Sequence, residues 1–262
     1  MFPSLRPRIR QQRGVDSSAA GIIDSVTRSS ALVTGASNGI GKEIARQLAG
    51  VGLTVYVGSR TIECGRRSVE EIGGDARLIV LDVTDAASIA EAAAVVEELD
   101  VLVNNAGIMV DGRPATDADV DSFRRTYETN VFGVVAVTNA FLPALRRSAH
   151  PRIVNVSSGT GSLGWSTGPN PQFDHETGGT AAAYRSSKTA LNTLTVYYAQ
   201  ALAAEGSKVN ALAPGLRASD RPERSCRCQR RRSGRGRCGS MRTAPCAQAL
   251  MAAGSCAGSR VA

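Results

Sequence analysis

Two side chains that could move a proton, Tyr184 and Lys188, stand four residues apart in a segment with helical patterning. This spacing places a phenol and an ammonium on one helix face, one turn apart. A free tyrosine ionises near pH ~10, but a neighbouring positive charge favours the phenolate and lowers its pKa. The pair therefore predicts a group that exchanges a proton with a substrate oxygen, provided that the chain also supplies a cofactor and a pocket.

A glycine-rich segment, Thr34-Gly-Ala-Ser-Asn-Gly-Ile-Gly41, falls between a short apolar strand and a helix. Glycines allow a tight turn and let the backbone approach a pyrophosphate at the positive helix N-terminus. The spacing differs from the commonest dinucleotide fingerprint, and a plain glycine-rich turn is the alternative. The predicted cofactor contacts in this segment are Gly35, Ser37, Asn38, Gly39, Ile40 and Gly41.

The end of the second predicted strand carries Ser59 and Arg60 and no acid for a ribose 2′-hydroxyl. A serine–arginine pair suits a 2′-phosphate, so this segment favours NADP(H) over NAD(H). The alternative is that Arg60 is a solvated loop residue.

Two more segments follow strand ends, where open α/β sheets bind ligands. Asp82, followed by Val83, could accept a hydrogen bond from the adenine amino group, and the alternative for Asp82 is a helix cap or turn residue. Asn104, Ala106 and Gly107 end the fourth predicted strand and would let the backbone approach the cofactor.

In the order of these motifs the chain resembles the short-chain dehydrogenase/reductase family over residues 30–220. The resemblance implies one Rossmann-type domain that transfers a hydride between NAD(P)H and a carbonyl or alcohol. The matching motifs are Thr34–Gly41, Asn104–Gly107, Asn130, Ile153-Val-Asn-Val-Ser-Ser158, Tyr184-x-x-x-Lys188 and Pro214-Gly215.

The resemblance also implies roles for individual residues. Tyr184 would act as general acid or base, while Lys188 would lower its pKa and hold the nicotinamide ribose. Ser158 would hydrogen-bond the substrate oxygen, although strand alternation leaves open whether Ser157 or Ser158 faces the site. Asn130 would anchor a water that links Lys188 to solvent. The nicotinamide would be walled by Pro214 and Gly215, with Ser219 where the family often has threonine.

Two departures from the family pattern affect the expected pocket. The segment of about Gly161–Gly179, which includes Trp165 and His175, resembles the inserted loop of carbonyl-reductase-like members. There it is associated with monomers, although a homo-oligomer stays open. The family's substrate-covering helix, further helix and last strand are not recognisable after Pro214-Gly215. A catalytically impaired or inactive nucleotide-binding remnant is therefore the alternative function.

The elements that must position these residues alternate regularly between strand and helix. Strands apolar throughout are typical of a parallel sheet buried on both faces, so the pattern predicts an α/β doubly wound fold. The predicted strands are Ala31–Thr34, Leu53–Gly58, Leu78–Leu81, Val101–Val103, Arg152–Val156 and Lys208–Leu212. The predicted helices are Ile40–Val51, Ile62–Ile72, Ala86–Leu99, Asp119–Glu128, Val131–Arg146 and Ala182–Ala204.

The ends of the chain differ from residues 30–220. Residues 1–29 form a polar arm rich in arginine, expected to be disordered, with a transit peptide or a start near Val26 as alternatives. Residues 221–262 carry ten Arg and one acid, a net charge of +9. Because the whole chain carries +8, residues 1–220 sum to about −1. This tail holds five of the six cysteines and is typical of GC-rich coding sequence translated out of frame. A disordered natural tail and a basic binding segment are its alternatives.

The remaining composition limits partners and compartment. Residues 1–220 are nearly neutral and contain one cysteine, so nucleic-acid binding and disulfides are not expected. The cysteine spacing of the tail is poor for zinc, and no metal site is predicted. No apolar run approaches the roughly 20 residues that span a bilayer, so we expect a cytoplasmic protein with a small-molecule substrate.

Overall fold

The computed structural model describes residues 29–168 and 179–215. Six strands form one sheet in the order β3-β2-β1-β4-β5-β6, and every neighbouring pair is parallel. The sequence expectation of a Rossmann-type parallel sheet is therefore confirmed. The strands are β1 Ser30–Val33, β2 Thr54–Ser59, β3 Ala76–Val80, β4 Val101–Asn104, β5 Arg152–Val156 and β6 Lys208–Leu212.

Seven α-helices lie between and around these strands in the described residues. Their bounds are α1 Gly39–Gly50, α2 Ile62–Ile72, α3 Ala86–Ala94, α4 Val120–Tyr127, α5 Gly133–Leu145, α6 Leu163–Thr167 and α7 Ala182–Ala201. A π-helical turn, Glu128–Phe132, joins α4 to α5 without a break, where the sequence predicts two separate helices. None of the described helices is long and apolar enough to cross a membrane.

Hydrophobic side chains cover both faces of the sheet. Successive residues of a strand point to opposite faces, so Leu32 joins one core while Ala31 and Val33 join the other. The helices α1 and α2 cover the face of Ala31, and α3, α5 and α7 contribute to the face of Leu32. This two-faced burial explains why the strands are apolar throughout.

Helix α3 ends at Ala94, five residues before the predicted end at Leu99. Two β-branched residues, Val95 and Val96, follow Ala94 and favour helix less than the alanines before them. The Leu99 N–H then donates to the Ala144 carbonyl at 3.2 Å, whereas a helix extended to Leu99 would have paired it with Val95. A tertiary contact thus satisfies a main-chain group that a longer helix would have paired internally.

The strand order reverses between β1 and β4, because β2 lies on one side of β1 and β4 on the other. Such a reversal opens a crevice at the carboxyl ends of the strands. The loops after β1, β3, β4, β5 and β6 begin at that edge. Among the described residues β6 pairs with β5 alone. The arm before residue 29 and the tail after residue 215 lie outside the described residues.

Candidate active site

The glycine-rich segment lies between β1 and α1, where Gly35 (φ 61°) and Gly39 (φ 54°) adopt left-handed backbone conformations that favour glycine. Gly41 faces the same turn. A Cβ there would overlap the Asn105 side-chain amide and lie 2.6 Å from the Gly35 carbonyl oxygen. The turn therefore needs glycine for backbone conformation at two positions and for close packing at a third.

The N-terminus of α1 points its free N–H groups into this turn. Its N-cap, Asn38, makes no side-chain capping bond in the described structure, and its first turn carries no acidic residue. The positive end of the helix dipole is thus left without a compensating side chain, which suits an anion.

A cleft of about 740 Å³ runs along the crevice. It brings together the residues predicted for cofactor binding and for proton transfer, although they come from seven separate segments. Of the predicted site residues, its lining includes Gly35, Ser37, Asn38, Gly39, Ile40, Gly41, Arg60, Asp82, Val83, Ala106, Gly107, Ser158, Tyr184, Lys188, Pro214 and Gly215.

Three predicted site residues lie behind the cleft wall. Ser59 is buried, and its hydroxyl donates to the Thr61 carbonyl at 2.9 Å. Asn104 is also buried, and its amide donates to Thr138 and to Asn155 across to β5. Asn130 is the third, and Ser219 lies outside the described residues.

Asp82 and Arg60 flank the cleft on the far side of the glycine-rich turn from Tyr184. The Asp82 carboxylate accepts from the main-chain N–H and the hydroxyl of Thr84, at 2.9 and 2.7 Å. Asp82 thus has the turn role that we gave from the sequence as the alternative to adenine binding. It nevertheless lines the cleft. The Arg60 side chain is exposed at the cleft edge.

Tyr184 and Ser158 meet in the cleft near the end of β5. Burial raises the pKa of Tyr184, and a hydrogen bond from the Ser158 hydroxyl partly offsets this by favouring the phenolate. The Ser158 oxygen also lies 2.9 Å from the Thr160 hydroxyl. The hydroxyls of the two adjacent serines have different partners. Ser157 is buried, and its hydroxyl donates to Asn192 on α7 at 2.6 Å.

Lys188 lies under the same site with its ammonium almost fully buried. Its Nζ donates to the Val156 carbonyl at 2.8 Å and stands 5.6 Å from the centre of the Tyr184 ring. Burial lowers the pKa of Lys188 to about 8. In the protein alone the expected depression of the Tyr184 pKa is therefore absent, because burial outweighs the neighbouring polar groups.

The amide of Asn130 is fully buried in the π-helical turn and makes three hydrogen bonds. Its Oδ1 accepts from the Ile108 N–H at 2.8 Å, and its Nδ2 donates to the Ile108 carbonyl at 2.9 Å. The second Nδ2 proton goes to the Ser187 hydroxyl at 3.0 Å. Asn130 thus ties the loop after β4 to helix α7.

Sequence reasoning missed the residues that hold the cleft together. The Thr34 hydroxyl accepts from the main-chain N–H groups of Asn105 and Ala106, both at 2.9 Å. The Asn105 amide in turn donates to the carbonyls of Thr34 and Gly35. Thr34 and Asn105 belong to the quoted motifs, but only the pairing of β1 with β4 shows that they touch.

The segment before Tyr184 is described in part. Trp165 lies on α6, while residues 169–178, with His175, fall outside the described residues. Residues 179–181 form a two-bond antiparallel bridge with the loop after β4, since Ala115 N–H donates to Gly179 and Ala181 N–H to Arg113. Ala181 itself is left-handed, at φ 54°, directly before α7.

The model of the family described as short chain dehydrogenase matches residues 29–225. The chain is 38% identical over 203 residues to the short-chain dehydrogenase anuI of Penicillium roqueforti, covering 73% of this chain and 80% of that protein.

Two solved structures have similar folds. One is an actinorhodin polyketide ketoreductase variant with NADPH, at TM-score 0.63 and 34% identity, covering 73% and 72% of the two chains. The other is a 3-ketoacyl-(acyl-carrier-protein) reductase from Brucella melitensis complexed with NADH, at TM-score 0.62 and 28% identity, covering 71% and 75%.

Proposed function

The chain belongs to the short-chain dehydrogenase family of oxidoreductases, and on that premise we propose that it transfers a hydride between NADP(H) and a carbonyl or alcohol substrate, with Tyr184 as general acid/base. The observation that carries the proposal is one cleft lined by the glycine-rich turn, Ser158, Tyr184 and Lys188. A cofactor cradle and a proton-transfer group thus open onto the same space.

The cradle fits a nicotinamide dinucleotide. Free N–H groups at the start of α1 offer donors to a pyrophosphate. Gly35 and Gly39 give the turn its left-handed conformation, and Gly41 allows it to pack closely on Asn105. Pro214 and Gly215 line the cleft and would wall the nicotinamide. When bound, the cofactor supplies or accepts the hydride.

Arg60 supports NADP(H) as the preferred cofactor. It is exposed at the cleft edge after β2, and neither Ser59 nor Arg60 offers a carboxylate to a ribose 2′-hydroxyl. A guanidinium can meet a 2′-phosphate with paired, charge-assisted hydrogen bonds. Ser59, being buried, would act by shaping the strand end rather than by contact.

Tyr184 would give its proton to the carbonyl oxygen in reduction and take it from the alcohol in oxidation. Its raised pKa keeps the phenol protonated in the protein alone, as the reductive direction requires. The Ser158 hydroxyl would donate to the substrate oxygen as negative charge develops on it. Lys188 would stabilise the phenolate left behind, and Asn130 would hold a water that connects Lys188 to solvent.

The test is NADPH oxidation by the full chain with a panel of ketones, aldehydes and quinones. Tyr184→Phe should lower kcat by at least ~10²-fold, the lower range for a positioned proton donor. Tyr197→Phe is the matched control, because Tyr197 lies on the same helix with 60% of its surface exposed. Full activity of Tyr184→Phe would refute the mechanism. NADPH binding without turnover by the unmodified chain would favour the inactive nucleotide-binding remnant.

A further inference from the structure

The hydroxyl of Ser187 is a fully buried polar group on α7 between Tyr184 and Lys188 in the helix. It donates to the Tyr184 carbonyl at 2.7 Å and accepts from Asn130 Nδ2 at 3.0 Å. We infer that Ser187 is a positioning residue of this site, which holds the Asn130 amide in the orientation that proton transfer needs. The inference rests on the proposed function.

The orientation of Asn130 depends on this contact. Its amide pairs with both main-chain groups of Ile108, and Ser187 is the partner of the remaining Nδ2 proton. Without that hydroxyl one amide proton is left buried and unpaired, which is costly. The amide is then held by Ile108 alone, so it shifts more readily and its paired bonds to Ile108 open more often.

The Asn130 oxygen and the Lys188 ammonium border the same small space. A Cβ built at Gly107 would lie 3.3 Å from Asn130 Oδ1 and 3.5 Å from Lys188 Nζ. Glycine at position 107 therefore lets a carbonyl-type oxygen and a buried cation approach from two sides. A displaced Asn130 amide would remove that oxygen from the surroundings of the ammonium.

The π-helical turn gives this arrangement a structural reason. A regular helix from α4 into α5 would rotate Asn130 relative to Ser187, whereas the extra residue of the turn re-aims the side chain. Ser187 and Ile108 then hold the amide from opposite sides. We therefore expect the Ser187 hydroxyl to matter for turnover more than for substrate binding.

The first experiment compares Ser187→Ala with Ser186→Ala in steady-state assays. Ser186 is the matched control, because within residues 29–168 and 179–215 its hydroxyl bonds the carbonyls of Ala182 and Ala183 in its own helix and no other group. Ser187→Ala should lower kcat about ten-fold, at or below the lower range for acid–base groups, with both KM values within about two-fold. Ser187→Thr keeps a hydroxyl and should recover most of the loss.

The second measurement does not depend on activity. Hydrogen exchange at the Ile108 amide, which donates to Asn130, should speed up in Ser187→Ala and stay unchanged in Ser186→Ala. Unchanged exchange, or an unchanged kcat alongside faster exchange, would overturn the inference. An equal loss of kcat in both variants would overturn it too. A wild-type chain without turnover would refute the proposed function, while the exchange at Ile108 would still decide whether Ser187 positions Asn130.

Discussion

Gly41→Ala gives a sharp test of the packing around the glycine-rich turn. The new Cβ would overlap the Asn105 amide, which donates to the carbonyls of Thr34 and Gly35 at 2.9 and 3.2 Å. These two hydrogen bonds contribute about 1 kcal/mol each. Forced overpacking adds about 1–3 kcal/mol, and the better helix propensity of alanine returns about 1 kcal/mol. We expect the free energy of unfolding to fall by about 2–4 kcal/mol.

The assay is urea unfolding followed by far-UV circular dichroism. With a slope of ~2 kcal/mol per M, the expected loss lowers the midpoint by about 1–2 M. Gly50→Ala is the matched control, since Gly50 ends the same helix and a Cβ there would meet nothing within 4 Å. That variant should unfold at the same or a slightly higher urea concentration. A Gly41→Ala midpoint equal to the wild-type value would refute the close packing of Gly41 on Asn105.

Three further predictions concern cofactor choice, pH dependence and backbone strain. Arg60→Ala should lower kcat/KM for NADPH about ten- to a hundred-fold and leave that for NADH unchanged, because charge-assisted bonds to a phosphate contribute about 1.5–3 kcal/mol. Arg66 is exposed on α2 and lies outside the cleft, so Arg66→Ala should change kcat/KM for neither cofactor. An equal loss with NADPH and NADH in Arg60→Ala would contradict the proposed contact of Arg60 with the 2′-phosphate. Burial lowers the pKa of Lys188 from its ordinary 10.5 to about 8, so between those values the unfolded chain holds a proton that the folded chain has released. The free energy of unfolding therefore rises with pH across that window, and its value for wild type relative to Lys188→Met should increase by up to about 3 kcal/mol. Urea titrations at pH 7.5 and 10 would measure this increase. The same difference between wild type and Lys188→Met at both pH values would count against the buried ammonium. Ala181→Gly should raise the unfolding free energy by about 0.5–1 kcal/mol, because Ala181 is held at φ 54°; a lower thermal midpoint would show that the left-handed conformation is not strained.

The order and type of the elements could be predicted because their patterns are local. Apolar strands alternate with helices of suitable length, and six parallel strands follow from that alternation. Boundaries were less secure where distant groups compete for the backbone. After the end of α3 the Leu99 N–H donates to the distant Ala144 carbonyl, and nothing near Leu99 in the sequence signals this. The π-helical turn at Asn130 likewise depends on partners at Ile108 and Ser187.

The sequence by itself determined which residue types could do the chemistry. A glycine-rich turn before a helix, a Tyr184–Lys188 pair and an arginine at a strand end each carry their physical meaning locally. Only the tertiary structure decided which serine hydroxyl meets Tyr184, since the Ser157 hydroxyl bonds the distant Asn192 while Ser158 bonds Tyr184. It also decided the protonation balance of the site. The charge of Lys188 is visible in the sequence, but the burial that lowers its pKa to about 8 is a property of the packed interior.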